Sequence, residues 1–310
     1  MPEIPADRSH IRTEHTNAAS AGLHAFSIAD CVKLINDEDA TVSAAVANAS
    51  PQICDLIEAA KPGFCAGGRL IYIGAGTSGR LGVLDASEAP PTFHVDSGKV
   101  IGLIAGGDRS LRISSESRED HLSGAEQELC NLNLTPRDTL IGIAAGGTTP
   151  YVLGAFAIAE RFAHNITTAM LTCTPIERPR DCRHLIVVDT GPEVLAGSTR
   201  MKAGTATKMV LNMISTTLMI QAGRVYDNLM VDMKPTNEKL LDRAARVVAQ
   251  LTGLNRTQSL TLLSDAGGRV KVAVVMHLKG LPRAEAEQIL ESSDDNLAAI
   301  LDAHTSTTPG

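Results

Sequence analysis

Two glycine- and hydroxyl-rich stretches, and a small set of carboxylates near them, are where this chain could do chemistry. The first stretch, Gly74-Ala75-Gly76-Thr77-Ser78-Gly79-Arg80, directly follows an apolar run. Taken literally it is the G-x-G-x-x-G of dinucleotide loops. Two features favour a phosphate monoester instead. The Thr77 and Ser78 hydroxyls can donate to phosphate oxygens alongside the amides of a helix N-terminus. The next helix is also expected to be cut short by Pro90-Pro91, where a dinucleotide domain needs a longer crossover. A dinucleotide and a plain tight turn stay open as alternatives. The second stretch is Ala145-Gly146-Gly147-Thr148-Thr149-Pro150. Pro150 suits a first helical turn, which puts Thr149 at the cap position. A cap with no ligand is the plain alternative. Two such loops after neighbouring parallel strands would face one crevice, with Gly76, Thr77, Ser78, Gly147, Thr148 and Thr149 lining it.

The carboxylates come next. Glu88 follows Asp85-Ala86-Ser87 and precedes Ala89-Pro90-Pro91. A carboxylate just downstream of a phosphate loop, partly buried against prolines, is placed for general acid–base work. A solvated helix-end carboxylate is the alternative. Glu116, Glu119 and Asp120 fall in an expected helix, Ser114–Leu129, where Glu116 and Glu119 share a face by their spacing. An exposed acidic face would read the same way. The segment Glu193–Lys208 packs hydroxyls, Arg200, Lys202 and Lys208 into the entry of a long apolar helix. Cations and amides at a helix start favour an anion, with Glu193, Ser198 and Lys202 as candidates. A capped, charge-decorated helix start is the other reading.

The elements that must position these groups alternate. Short β-rich runs at Arg69–Ile73, Val100–Ile104, Thr139–Ile143, Thr167–Thr172 and Leu185–Val188 are apolar on both faces, as buried parallel strands are. Helical patterns lie between and after them, at Ser114–Leu129, Pro150–Ala163 and Lys202–Ile220. The expected class is α/β, a doubly wound parallel five-stranded sheet. Helical patterns also precede the sheet, from Ser27 to about Glu58. After about Tyr226 the strand signal disappears; a linking helix around Asn237–Leu251 leads to a module of three helices, Arg256–Ser264, Arg269–His277 and Arg283–Glu291. The expected division is 1–55 for an N-terminal arm and helices, 56–225 for the sheet domain, 226–303 for the linking helix and module, and 304–310 for a disordered tail.

Composition closes several routes. Among 310 residues there is no Trp, and aromatics make up 3%. A base-stacking surface is therefore not expected. The net charge of −7, with no basic run, disfavours a nucleic-acid or membrane partner. Six Cys are scattered without C-x-x-C or His at ligand spacing, so no metal site is expected and the thiols suit a reducing cytoplasm.

The strings IYIGAGTSGRLGVLDASEAPPTF (Ile71–Phe93), GLIAGG (Gly102–Gly107), Gly142–Val152, Glu193–Met213 and NLMVDMKPTNEKL (Asn228–Leu240) carry a resemblance, with Thr13-Glu14, Asn17 and INDED (Ile35–Asp39). The chain resembles the N-acetylmuramic acid 6-phosphate etherases of the sugar-isomerase (SIS) domain superfamily, relatives of the glucokinase regulatory protein. The resemblance implies a SIS-type sugar-phosphate-binding domain and no cofactor. It also implies a homodimer with its active site near the subunit interface. The implied reaction is removal of D-lactate from N-acetylmuramate 6-phosphate by elimination and water addition. Glu88 is then the acid at the ether oxygen, and Glu119 the base at C2. The third-strand loop departs from the family's Ser-Gly-Arg-Thr-Pro, with Gly146 and Thr148 where serine and arginine are usual. A non-catalytic sugar-phosphate sensor and a sugar-phosphate isomerase are the competing functions on this fold.

Overall fold

The computed structural model describes residues 7–113, 118–233, 235 and 237–301. Glu116, the expected start of a helix at Ser114 and the expected tail 304–310 lie outside them. Two compact units are formed, one from Met1–Ser87 and Gly98–Ser215, the other from Glu88–Ser97 and Thr216–Gly310. Among the described residues no helix is long and apolar enough to cross a membrane.

The first unit begins with three single 3-10 turns between Arg12 and Ala25. Helices α1 (Ile28–Asp39), α2 (Val42–Asn48) and α3 (Ser50–Cys65) follow. Ser27 caps α1 by accepting the Asp30 amide. The sheet strands are β1 (Leu70–Gly74), β2 (Val100–Ile104), β3 (Thr139–Ile143), β4 (Thr167–Thr172) and β5 (His184–Val187). All pairings are parallel, in the order β2-β1-β3-β4-β5. The winding reverses between β1 and β3, so the loops after these two strands flank a topological switch point. Every residue of β1 and β3 is buried, as expected of central strands covered on both faces. Helix α4 (Gly76–Phe93) follows β1, α5 (Glu126–Asn131) precedes β3, α6 (Pro150–Phe162) follows β3, and α7 (Lys202–Gln221) follows β5. Gly142 lets α6 sit directly on β3, since a Cβ there would come within 2.6 Å of Val152 and Phe156 carbons. Ile71, Ile73, Leu140, Val152, Phe156 and Met170 fill the core around this contact.

At the amino end of the sheet, Asp138 ties β1 to β3. It accepts from the Arg69 amide (2.8 Å), Arg69 Nε (3.0 Å) and Nη2 (2.7 Å), and the Thr135 amide (2.8 Å). Burial alone would raise the Asp138 carboxyl, but these bonds outweigh it and hold it below its ordinary value.

Two expectations are corrected here. Helix α4 is not cut at Pro90-Pro91; it runs through both to Phe93. Proline's fixed φ fits a helix, and in the last turn only a few amide bonds are lost. The helix ends at His94, whose φ of +50° is left-handed and whose amide bonds the Pro90 carbonyl at 3.0 Å. The expected helix Ser114–Leu129 is present only at its end. Residues 119–125 are turns and irregular chain, and helix begins only at Glu126. Tertiary contacts explain this. The Glu119 carbonyl accepts the Tyr151 amide (3.0 Å), and Gly124 lies so close to the Tyr151 ring that a Cβ would stand 2.9 Å from Cδ2.

In the second unit a two-residue hairpin pairs β6 (Val225–Tyr226) with β7 (Leu229–Met230), where no strand was expected. Pairs this short carry no periodicity. Helices α8 (Glu238–Thr252), α9 (Arg256–Asp265), α10 (Val270–Lys279) and α11 (Arg283–Ser292) match the linking helix and the three-helix module, and a short α12 (Leu297–Leu301) is added. Asn255 and Gln258 form a capping box on α9. Their core includes Val248, Leu263, Val272, Val275, Leu290 and Ile300. Lys271 is buried within it and donates to Asp232 (2.7 Å), the Asp295 carbonyl (2.5 Å) and the Asp295 carboxylate (3.0 Å).

Candidate active site

The two hydroxyl-rich loops leave the sheet side by side, because Gly74 at the end of β1 is paired in register with Ile143 at the end of β3. The β1 loop turns at once into α4. Its closeness is enforced by glycine: a Cβ on Gly79 would meet the Gly74 carbonyl oxygen and the Ile104 side chain, each at 2.7 Å. The amide end of α4 therefore opens beside the sheet edge, with Thr77 and Ser78 half-buried. In the β3 loop Gly147 turns with φ +73°, its amide bonding the Ala144 carbonyl. Thr149 occupies the cap position of α6, but its side chain makes no capping bond. The Glu119 carbonyl takes that place on Tyr151, which sets Glu119 at the head of α6 beside Thr149.

The entry of α7 closes a third side. A Cβ built on Gly204 would stand 3.6 Å from both Thr77 Cγ2 and the Thr199 carbonyl oxygen, so the β1 loop lies against the start of α7. Ser198 and Thr199 are half-buried there. Glu193 is fully buried, and its two oxygens accept the Lys202 and Ala203 amides, each at 3.0 Å. A protein carboxylate thus occupies the anion-favouring end of α7. Burial holds the Glu193 carboxyl above its ordinary value, against the two amides and Lys202. Lys202 is buried too, and its Nζ donates to Glu38 of α1 at 2.5 Å. Cys173 lies beneath, with burial pushing its thiol up to about 12.

The N-terminal arm crosses this end of the sheet. The Arg12 amide donates to Thr174 Oγ1 (3.2 Å), Arg12 pairs with Asp189, and the Gly197 amide donates to the Thr13 carbonyl (3.1 Å). The segment after β4 covers the β3 loop from outside: a Cβ on Gly147 would lie 2.8 Å from Ile176 Cγ2. Thr148, Ile176, Glu177 and Arg180 line a cleft of about 900 Å³ with the outer face of α6.

Asp85 and Glu88 sit a turn apart on α4 but differ in surroundings. Asp85 accepts from the Tyr72 hydroxyl (2.8 Å) and from Ser215 Oγ (3.2 Å), pinning α4 to β1 and α7. Burial raises its carboxyl, against those two bonds and Lys208. Glu88 is exposed, not partly buried as expected. Glu119 is half-buried in its turn, and Asp120 is exposed. No group of three or more His, Cys, Asp or Glu able to hold a metal ion occurs among the described residues.

The family model of the glucokinase regulatory protein N-terminal SIS domain matches residues 52–160. An N-acetylmuramic acid 6-phosphate etherase of Caldanaerobacter subterraneus is 46% identical over 93% of this chain and 94% of its own length. One of Serratia proteamaculans is 47% identical over 93% of this chain and 97% of its own. This chain belongs to the N-acetylmuramic acid 6-phosphate etherase family. Among solved structures, an E. coli CFT073 protein in complex with A5P is 15% identical with a TM-score of 0.46, covering 66% of this chain and 97% of that one.

The segments that resemble the etherases meet one another in space. Glu38 of the INDED string holds Lys202 of the STRMKAGTATK string, and the Thr13-Glu14 segment packs on Gly197, where a Cβ would stand 2.9 Å from Glu14 Oε2. Sequence reasoning gave Glu38, Arg12 and Asp85 no role. Tyr72 was the available signal for Asp85, since a tyrosine in an otherwise aliphatic strand needs a partner for its hydroxyl.

Proposed function

We propose that this chain is an N-acetylmuramic acid 6-phosphate etherase, a carbon–oxygen lyase of amino-sugar recycling. It removes D-lactate from N-acetylmuramate 6-phosphate and leaves N-acetylglucosamine 6-phosphate. The observation that carries this is near-full-length kinship with relatives of that name at 46–47% identity. Neither competing function, sensor or isomerase, is favoured by it.

In our reading the phosphate lies at the amide end of α4, held by Gly76, Thr77 and Ser78, with Gly147, Thr148 and Thr149 on the other side and Ser198 at the α7 entry. The convergence of two hydroxyl-rich loops at the switch point supports this. Glu193 and Lys202 act behind these groups by fixing the start of α7. The ring-opened sugar has an aldehyde at C1, which acidifies the C2 proton. Glu119 removes that proton, the C2–C3 double bond forms, and the C3–oxygen bond breaks. Glu88 protonates the departing ether oxygen and then takes a proton from the water that adds at C3, while C2 is reprotonated. No redox change occurs, and the sheet domain 56–225 holds the chemistry. The enzyme works in the cytoplasm as a homodimer on a small sugar phosphate, without nucleic acid or membrane.

D-lactate release from N-acetylmuramate 6-phosphate by purified protein tests the reading. Substrate that binds but yields no lactate would sink it. Solvent deuterium exchange at C2 separates the glutamates: Glu119→Gln should abolish exchange, and Glu88→Gln should retain it. Loss of a positioned acid or base costs about 10²–10⁴ in rate.

A further inference from the structure

A cavity of about 410 Å³ adjoins the Glu119 turn, lined by the Gly106-Gly107 turn, Arg118, His121, Glu128 and Tyr151. Its walls come from the loop after β2 and from the head of α6, which follows β3. These strands lie on either side of β1, and the Ala105 amide bonds the Gly74 carbonyl at 3.0 Å. The cavity therefore opens at the carboxyl end of β1, where the first hydroxyl-rich loop leaves the sheet. Several cations of this unit are already engaged. Arg80 donates to the Ser110 and Leu111 carbonyls (2.8 and 3.1 Å), Arg12 pairs with Asp189, and Lys202 donates to Glu38. Arg118 differs from them. It lines the cavity, and its side chain makes no hydrogen bond or ion pair among the described residues. Glu128, also in the wall, accepts the Tyr151 hydroxyl at 2.5 Å. Tyr151 is the second residue of α6, so the positive end of a thirteen-residue helix points the same way.

The substrate brings a second charge besides its phosphate, the carboxylate of the lactyl ether. A charge leaving water needs a partner of its own. From C2, where the base works, the path through C3 and the ether oxygen to the carboxylate carbon spans about 5 Å by standard bond lengths. The carboxylate therefore ends within reach of the residues next to the base in the chain. Arg118 directly precedes Glu119, and His121 follows it by two. Resting on the reading above, with Glu119 as the base, we infer that this cavity holds the lactyl group and that Arg118 is the specificity-determining residue that pairs with its carboxylate, with His121 beside it. A guanidinium presents two parallel donors to the two oxygens, which a lysine does not. The bare backbone of Gly106-Gly107 leaves room for the lactyl methyl: a Cβ on Gly107 would meet no atom within 4 Å. Glu128 is turned to the Tyr151 hydroxyl, which tempers its repulsion of the incoming carboxylate.

Two substrates isolate this role: N-acetylmuramate 6-phosphate, and the same compound with its lactyl carboxylate replaced by a carboxamide, which keeps the ether and loses the charge. Arg118 is exposed, so its replacement leaves the fold intact. Arg118→Gln should lower kcat/KM for the acid by about 10- to 100-fold, the loss of a bond between charged groups, and change the amide little. The parent's preference for the acid then collapses by that factor. Arg118→Lys should recover part of it, and His121→Ala should lose several-fold on the acid alone. Inhibition by N-acetylglucosamine 6-phosphate, which has no lactyl group, should be the same in parent and variants. An Arg118→Gln enzyme that keeps the parent's preference for the acid would overturn the inference. So would an equal loss on both substrates, which marks a residue tuning Glu119, and so would weakened inhibition by N-acetylglucosamine 6-phosphate, which moves Arg118 to the phosphate. Failure of the underlying reading looks different: the parent itself releases no lactate, or Glu119→Gln keeps the parent rate.

Discussion

Replacing Glu193 by Gln separates a helix-capping carboxylate from a substrate-binding one. In the structure both oxygens accept amides at the start of α7, each at 3.0 Å, and no part of the residue is exposed. Gln keeps one acceptor but turns an NH2 group toward the second amide. One charge-assisted bond is lost, worth about 1.5–3 kcal/mol, along with about 0.5 kcal/mol of helix-dipole interaction. Relief from burying a charge offsets the charge-assisted part, since burial outweighs the two amides at this carboxyl; what remains is a buried α7 amide facing the NH2 group without an acceptor, which costs about 1–3 kcal/mol. A net destabilisation of about 2 kcal/mol is expected, or roughly 4–8 °C in Tm for a protein unit of this size. The dependence on pH has a definite sign. The folded carboxyl is held above its ordinary 4.5, so its contribution is full below that value and shrinks as pH rises through the folded value. The gap between parent and variant should therefore widen as pH falls toward 4.5. Melting curves of ligand-free protein and binding of N-acetylglucosamine 6-phosphate check this together. An unchanged Tm with lost sugar-phosphate affinity would refute the capping role and assign Glu193 to substrate.

Asp138→Asn should destabilise by about 3 kcal/mol, since it leaves Arg69 half-paired beneath the sheet. Because the Asp138 carboxyl is held below 3.8, the stability it supplies is present above that pH and lost as pH falls through the folded value, so the variant should show a flatter acid limb in urea melts at stepped pH. The hydroxyl of Thr13 is buried and finds no hydrogen-bond partner among the described residues; Thr13→Val should be neutral or stabilise by up to about 1 kcal/mol, and a loss of that size by calorimetry would show that the hydroxyl is paired. Thr77→Val and Ser78→Ala should each weaken inorganic phosphate and N-acetylglucosamine 6-phosphate binding by about 10-fold with little change in Tm, one lost bond to a charged group apiece; equal affinity in both variants would move the phosphate elsewhere.

The sheet was legible because its signal is local. Five runs that are apolar on both faces become five parallel strands, three with the boundaries expected from sequence. What stayed hidden depended on partners far along the chain. Glu119 was expected within the helix Ser114–Leu129, but its backbone is held as a turn by the head of α6, more than thirty residues away. Glu193 and Lys202 were expected to bind substrate, in a segment where cations and hydroxyls crowd a helix start. The structure satisfies both from within, one by the α7 amides and the other by Glu38, 164 residues earlier. A composition that could bind an anion is the same composition that builds a buried ionic joint, and only the fold tells them apart. The two hydroxyl loops differ in this respect. Thr149 makes no cap bond at its own helix, and Thr77 and Ser78 stand at the open amide end of α4. At that end of the sheet Glu193, Lys202 and Arg12 hold elements in place, and in the proposed reading the hydroxyls and amides of the two loops take the phosphate. Such a lining suits a substrate that brings its own charge, as a sugar phosphate does.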